Sequence, residues 1–307
     1  MKIAQIFIIV LMFLVVLTLA VSADAAIVKT AHRLPLGDSQ ITVNVYENAG
    51  ASVTFFAPHH NEQLGLRLAK DYVTRYGGRL IEIESTDERG KPQRYVKFTA
   101  AGKNYTIDPN RIYTENGRNC NVAAEIRDSV AGFADGLLRL VLDADGKTLR
   151  SGERFIVAVH NNTDVSSKNS GAQNADLTAV AFLRAQSTNN FSHGAFEAQA
   201  GGVFLSNTET DEDNFIFLST PAHIGYFAEK GFNVVVQKPA AKLQTKQCTI
   251  DDGSLSVFSG QTAVPYICLE ADGASGHARQ QQMLEAVYAL LEPEQKTLAP
   301  TNVAEAK

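Results

Sequence analysis

The spacing of hydrophobic positions changes repeatedly along this chain, and each spacing predicts an element. Residues 40–46, QITVNVY, alternate apolar and polar as a strand with one buried face does. Ala51–Ala57, ASVTFFA, is a more continuous apolar run, the pattern of a strand buried on both faces, and Pro58 stops it. From Asn61 to Tyr76 the period lengthens: Leu64, Leu68, Tyr72 and Tyr76 fall four apart on one helical face, and Gly77-Gly78 ends the helix. Strand patterns return at Arg79–Glu84, RLIEIE, and Arg94–Thr99, RYVKFT.

The second half repeats this grammar. Ala123–Leu142 has helical spacing with an interruption at Gly132, and Arg154–Val159, RFIVAV, is a short buried strand. A polar loop rich in Asn, Ser and Asp follows over Asn161–Asp176, and Leu177–Phe182 fits a strand or a short helix. Gly202–Leu205, Phe215–Leu218, Asn233–Gln237 and Pro265–Glu270 read as strands, with Pro221–Lys230 and Ser275–Leu291 as helices. Strands that alternate with helices over the whole length predict one α/β domain: a mixed, mostly parallel central sheet flanked by helices.

The first residues follow a different rule. Lys2 precedes the uncharged run Ile6–Ala20, and Val21-Ser22-Ala23 and Ala23-Asp24-Ala25 put small residues where a signal peptidase reads. Residues 1–25 are therefore expected to be a signal peptide, residues 26–292 the α/β domain, and residues 293–307 a loose tail. The protein is expected to be exported, to a periplasm or outside the cell. The alternative is a retained anchor, since Ile3–Val21 approaches the ~20 apolar residues that a bilayer needs. That uncleaved segment is the one route to a membrane, because no later segment is long and apolar enough to span.

Charge excludes more than it selects. The chain carries 28 basic and 33 acidic residues, and no basic stripe with interleaved aromatics points to nucleic acid. Three cysteines, Cys120, Cys248 and Cys268, are compatible with a disulfide in an exported protein. Cys248 and Cys268 flank a hairpin-like stretch and form the expected pair, with Cys120 left free. No C-x-x-C is present, which disfavours a cysteine zinc cluster. There is no G-x-S-x-G elbow, Walker loop or G-x-G-x-x-G.

Candidate chemistry sits at strand ends. ASVTFFA runs into His59, His60 and Glu62; RFIVAV runs into His160; PYICL runs into Glu270. In α/β sheets, ligands bind outside the carboxyl ends of the strands, so these residues are placed to converge. Two histidines and a carboxylate form a catalytic zinc set with a fourth position left for water. A further carboxylate outside that set can move a proton between water and a leaving amine. On this reading His59, Glu62 and His160 hold the metal, Glu270 is the acid–base group, and His60 points elsewhere. Asp108-Pro109-Asn110-Arg111 is a turn sequence in which Arg111 offers a rigid fork for a carboxylate and Asn110 an adjacent donor.

The order His59/Glu62, Asn110/Arg111, His160, Glu270 resembles the zinc carboxypeptidase-like family, comprising metallocarboxypeptidases and the related succinylglutamate desuccinylase and aspartoacylase-type deacylases. The resemblance runs through short motifs over residues 50–290, with His60-Asn61 standing where a small residue commonly precedes the family's Glu. It implies a zinc-exopeptidase-like fold, with Zn2+ on His59, Glu62 and His160. It also implies substrate carboxylate on Asn110 and Arg111, Arg111 polarising the scissile carbonyl, and Glu270 as general base and acid. The implied activity is hydrolysis of an amide bond next to a free carboxylate, on a small peptide. Two alternatives are an N-acyl amino acid deacylase and a non-catalytic binding relative of the same fold. The family's substrate-side tyrosine has two candidates, Tyr226 and Tyr266, each expected in the core. His223 is expected to pack, His193 to lie in a loop, His277 to be a candidate neighbour of the metal ligands, and Glu209–Asp213 to form a solvated acidic loop.

Overall fold

The computed structural model describes residues 26–162, 199–209, 211 and 213–291. The expected signal peptide, the expected strand or helix at Leu177–Phe182, His193, Glu212, the expected tail and most of the expected loop Asn161–Asp176 lie outside the described residues. None of the described helices is long and apolar enough to cross a membrane.

The strands are β1 Val28–Leu36, β2 Ser39–Asn48, β3 Thr54–Ala57, β4 Gly78–Ile83, β5 Val96–Ala100, β6 Lys103–Ile107, β7 Ile156–Asn162, β8 Ala200–Phe204, β9 Phe215–Leu218, β10 Asn233–Gln237 and β11 Tyr266–Asp272. The helices are α1 Gln63–Tyr76, α2 Glu115–Asn121, α3 Arg127–Val141, α4 Ile224–Glu229, α5 Ala240–Leu243, α6 Leu255–Thr262 and α7 His277–Leu291. Nine strands form one sheet in the order β1-β2-β4-β3-β7-β11-β9-β10-β8, while β5 and β6 pair as a separate hairpin. β4, β3, β7 and β11 are mutually parallel at the centre, and antiparallel pairings flank them at β1–β2, β2–β4, β11–β9 and β10–β8. This is the expected mixed α/β sheet with a parallel core.

Period-2 alternation divides the core in two. Phe56, Ile81, Ile156, Ala158, Tyr266 and Cys268 face one layer, with Val130, Phe133 and Leu137 of α3. Phe55, Leu80, Val157, Val159, Ile267 and Leu269 face the other, with Leu68, Tyr72 and Val73 of α1 and Met283, Leu284 and Val287 of α7. His160 and Glu270 continue the first series, two residues beyond Ala158 and Cys268. They therefore point to the same face as that series, side by side in register on β7 and β11.

Several elements differ from the sequence expectation. β3 begins at Thr54 rather than Ala51. β7 runs on through Asn161 and Asn162, so His160 lies within the strand and not before a loop. α3 passes through Gly132 without a break; the break falls earlier, where a short 3-10 turn at Ala124–Ile126 meets Arg127. β1 shows no strand pattern in the sequence because most of it is exposed; as an edge strand it tolerates Pro35.

The cysteine expectation is corrected. Cys120 and Cys248 form the disulfide, with Cα atoms 5.8 Å apart, and Cys268 is free and buried. Nearness in sequence misleads here, because Cys268 is held inside the central sheet, while Cys248 lies on a loop docked against α2. That docking is close. A Cβ on Gly117 would sit 2.0 Å from the Gly253 Cα, and Gly253 adopts a φ of 82° that favours glycine.

Candidate metal centre

Helix α1 begins at Glu62 in the N-cap position, yet its side chain caps no helix amide. The carboxylate turns instead to the carboxyl ends of the strands. Its Oε1 lies 2.7 Å from His59 Nδ1, and its Oε2 lies 2.9 Å from His160 Nδ1. Asn161 N–H donates to Oε2 at 3.1 Å, and Arg94 Nη1 donates to Oε1 at 3.0 Å. One donor atom from each of His59, Glu62 and His160 fits within a 4.8 Å span, and all three residues are buried. The sequence-predicted set thus meets at one place. His60, as expected, turns away, with Nε2 3.1 Å from Glu82.

The surroundings fix these side chains. His59 Nε2 lies 2.9 Å from Asp108 Oδ1, so the ring is held between two carboxylates. Such an outer carboxylate orients a metal-binding histidine and raises its basicity. Burial by itself pushes the His59 pKa down; the Glu62 and Asp108 carboxylates outweigh it and leave the pKa raised. Glu62 is held well below the usual carboxylate range: burial pushes it up, and the two histidines more than offset that. Asp108 is lowered likewise, against its burial, by His59 and then by Arg94 and Arg111.

The end of β7 is pinned from behind. Gln280 of α7, fully buried, donates to the His160 carbonyl at 2.9 Å and accepts from Asn161 Nδ2 at 2.9 Å. Asn161 Oδ1 in turn accepts from Gly65 N–H of α1 at 2.9 Å. Three elements are therefore tied at the point where the histidine leaves its strand.

Glu270 sits beside His160 on β11, 3% exposed. Burial raises its pKa to about 7, the neighbouring Glu62 charge adding to this and His160 opposing it. That value suits a group that takes and returns a proton near neutrality. Cys268 Sγ donates to Glu270 Oε1 at 3.2 Å.

Asn110 and Arg111 follow Asp108-Pro109 and make contacts of their own. Asn110 Oδ1 accepts from Leu255 N–H at 3.1 Å, anchoring the start of α6. Arg111 Nη1 donates to the Asn110 carbonyl at 2.8 Å, and its Nε lies 3.4 Å from Asp252 Oδ2. The loop carrying Asp252 is itself fixed to α2, through Thr114 and Asp251 and through Asn121 to the Asp252 carbonyl.

Three residues escape a reading of the sequence. The alternation over RYVKFT puts Arg94 at the start of a strand, but its guanidinium spans Glu62 and Asp108. Asp108 has the sequence context of a turn residue; its one signal is its place two residues before Asn110-Arg111. Gln280 carries no signal, being one polar position inside an amphipathic helix. Other expectations resolve simply. Tyr266 is in the core, and Tyr226 donates to the Ala286 carbonyl at 2.7 Å. His223 packs on Phe155, and His277 is exposed on the first turn of α7. The described part of the acidic run is not solvated: Asp213 is buried and Glu209 pairs with Arg279.

The donor set fits a zinc ion: two imidazole nitrogens and a carboxylate, with His59 held by Asp108, Glu62 by Asn161 and Arg94, and a further carboxylate, Glu270, beside them. No protein-family model matches the chain, and no curated protein matches it. In structure the chain is similar to a succinylglutamate desuccinylase/aspartoacylase from Rhodobacter sphaeroides, at 12% identity and a TM-score of 0.38, with 88% of this chain and 66% of that chain covered. It is also similar to a Burkholderia mallei ATCC 23344 protein given the provisional name carboxypeptidase, at 13% identity and a TM-score of 0.35, with 85% of this chain and 64% of that chain covered. The chain thus spans about two thirds of the length of each. Both names belong to the group that the motif order resembles, and at TM-scores below 0.5 neither likeness bears on the chemistry of the site.

Proposed function

We propose that this chain is an exported, zinc-dependent hydrolase that cleaves an amide bond next to a free carboxylate, with small peptides as substrates. The observation that carries the reading is the convergence of His59 Nδ1 and His160 Nδ1 on the two oxygens of Glu62, with Glu270 beside them. His59, Glu62 and His160 would hold the ion, with Asp108 orienting His59. When bound, the ion polarises a water molecule and the scissile carbonyl.

The chain's own groups do the rest. Ionised Glu270 accepts a proton from the attacking water as the oxygen bonds to the carbonyl carbon. Arg94, ion-paired to Glu62 and Asp108, adds positive charge to the site where negative charge develops on the carbonyl oxygen. Arg111, beside Asn110, takes the substrate's free carboxylate and also polarises the scissile carbonyl. Glu270 then returns its proton to the leaving nitrogen as the carbon–nitrogen bond breaks. One water is consumed, and a carboxylate and an amine are released.

The test is turnover of N-benzoylglycyl-phenylalanine and of N-acetyl amino acids by zinc-loaded protein, with Glu270→Gln as control. Cleavage of the blocked dipeptide, lost in Glu270→Gln with zinc retained, supports the reading. Cleavage of the acyl amino acids alone moves the substrate to the deacylase class. Full turnover in Glu270→Gln removes Glu270 from the mechanism.

A further inference from the structure

We infer that Cys268 is the positioning residue for Glu270: its thiol hydrogen-bonds one carboxylate oxygen and leaves the other turned to the metal side. The inference rests on the general-base role proposed for Glu270.

Strand geometry puts the two together. Residues i and i+2 of a strand share a face, so Tyr266, Cys268 and Glu270 form one column on β11. All three are buried, at 3%, 2% and 3% exposure. The Cys268 S–H donates to Glu270 Oε1 at 3.2 Å. Across the sheet, Cys268 is in register with Ala158, a small residue on the same face. Burial pushes the Cys268 thiol well up, so it stays a protonated donor at neutral pH and adds no second negative charge beside Glu270. A carboxylate without such a donor has rotational freedom about its side chain, and a general base must be held within hydrogen-bond reach of its proton.

The chain offers a direct probe. It has three cysteines, and Cys120 and Cys248 are paired, so Cys268 is its one thiol. The infrared S–H stretch of the whole protein therefore reports this bond alone, with or without substrate. The expected result is a wild-type band lowered and broadened by hydrogen bonding, which returns to the unbonded position in Glu270→Ala. Kinetics form the second arm, on N-benzoylglycyl-phenylalanine with the zinc-loaded protein. Cys268→Ala should lower kcat roughly tenfold, the worth of one hydrogen bond, with KM and zinc content unchanged. Cys268→Ser, which keeps a donor, should recover most of that loss. An unbonded S–H band in the wild type overturns the inference, as does a Cys268→Ala protein with wild-type kcat. A lowered band together with full turnover in Glu270→Gln strikes only the general-base reading and leaves the hydrogen bond standing.

Discussion

At the carboxyl ends of β3 and β7 and within β11, the chain buries His59, Glu62, His160 and Glu270 to 6% exposure or less. At the opposite ends of β3, β4 and β7, Glu47, Arg79, Arg150 and Glu153 line a cavity of about 760 Å³. The same strands therefore carry charge at both ends, and the two ends handle it differently. At the cavity the charge is only partly paired: Arg150 Nε and Glu153 Oε2 are buried without a hydrogen-bond partner. Arg79 pairs with the exposed Glu47 and donates to the Leu140 carbonyl at 3.0 Å, and Glu153 accepts from Thr54 at 2.6 Å. A partly exposed pair such as Arg79–Glu47 contributes little. At the metal centre, three carboxylates, Glu62, Asp108 and Glu270, lie about two histidines, and Glu62 and Asp108 share the guanidinium of Arg94. That grouping favours added positive charge, as the raised His59 pKa shows. Buried charge without enough counter-charge is costly, and a divalent cation removes the deficit.

The largest effect that separates the two ends is expected from their glutamates. Glu62→Ala should weaken zinc binding by more than about 100-fold, since loss of an outer partner alone typically costs 10–100-fold. Glu153→Ala should leave zinc affinity unchanged. Titration calorimetry on both variants checks this, and equal losses would erase the distinction.

Next in size is the outer partner. Asp108→Asn should weaken zinc binding roughly 10–100-fold while the ligand set stays intact, because His59 loses the carboxylate that fixes its ring. An unchanged dissociation constant would reduce Asp108 to a turn residue.

The pH dependence separates the ends further. Glu270 has a folded pKa of about 7, above the ordinary value of 4.5, so the folded state binds its proton more tightly than the unfolded one. In metal-free protein its contribution to stability is fully present below about pH 4.5 and is lost as pH rises through about 7. Glu270→Gln should flatten that slope, as denaturant unfolding across roughly pH 4–8 would show. A slope that persists in the variant places its source elsewhere. For turnover the sign reverses: activity needs the ionised form, so the acidic limb should lie at or below about 7, since a bound cation favours ionisation.

The smallest effect belongs to the cavity end. Arg79→Ala should cost about 1 kcal/mol of stability and leave turnover untouched. A loss of activity there would join the two ends functionally.

What the sequence reveals follows this division. The residues at the ends of ASVTFFA, RFIVAV and PYICLE are legible because buried parallel strands announce themselves as apolar runs, and the polar residue that ends each run stands out. Arg94 is not legible, because it reaches Glu62 from the short segment before β5 among other charged residues. Gln280 acts through a tertiary hydrogen bond that no periodicity encodes. β1 lacks alternation because both of its faces are largely exposed, and α6 is short, with its buried residues bunched in its first turns, so neither shows a period to read. The disulfide depends on the docking of the Asp251–Ser254 loop on α2, a contact between regions more than a hundred residues apart in sequence.

Everything proposed for the site depends on the metal being held by His59, Glu62 and His160. A competing cluster shares one of these residues: His160, Cys268 and Glu270 also bring donor atoms within 4.8 Å. Zinc-edge X-ray absorption on protein loaded with one equivalent of zinc separates them. A shell of nitrogen and oxygen alone at about 2.0–2.1 Å, lost in Glu62→Ala, is the expected result; a sulfur ligand at about 2.3 Å would contradict the assignment.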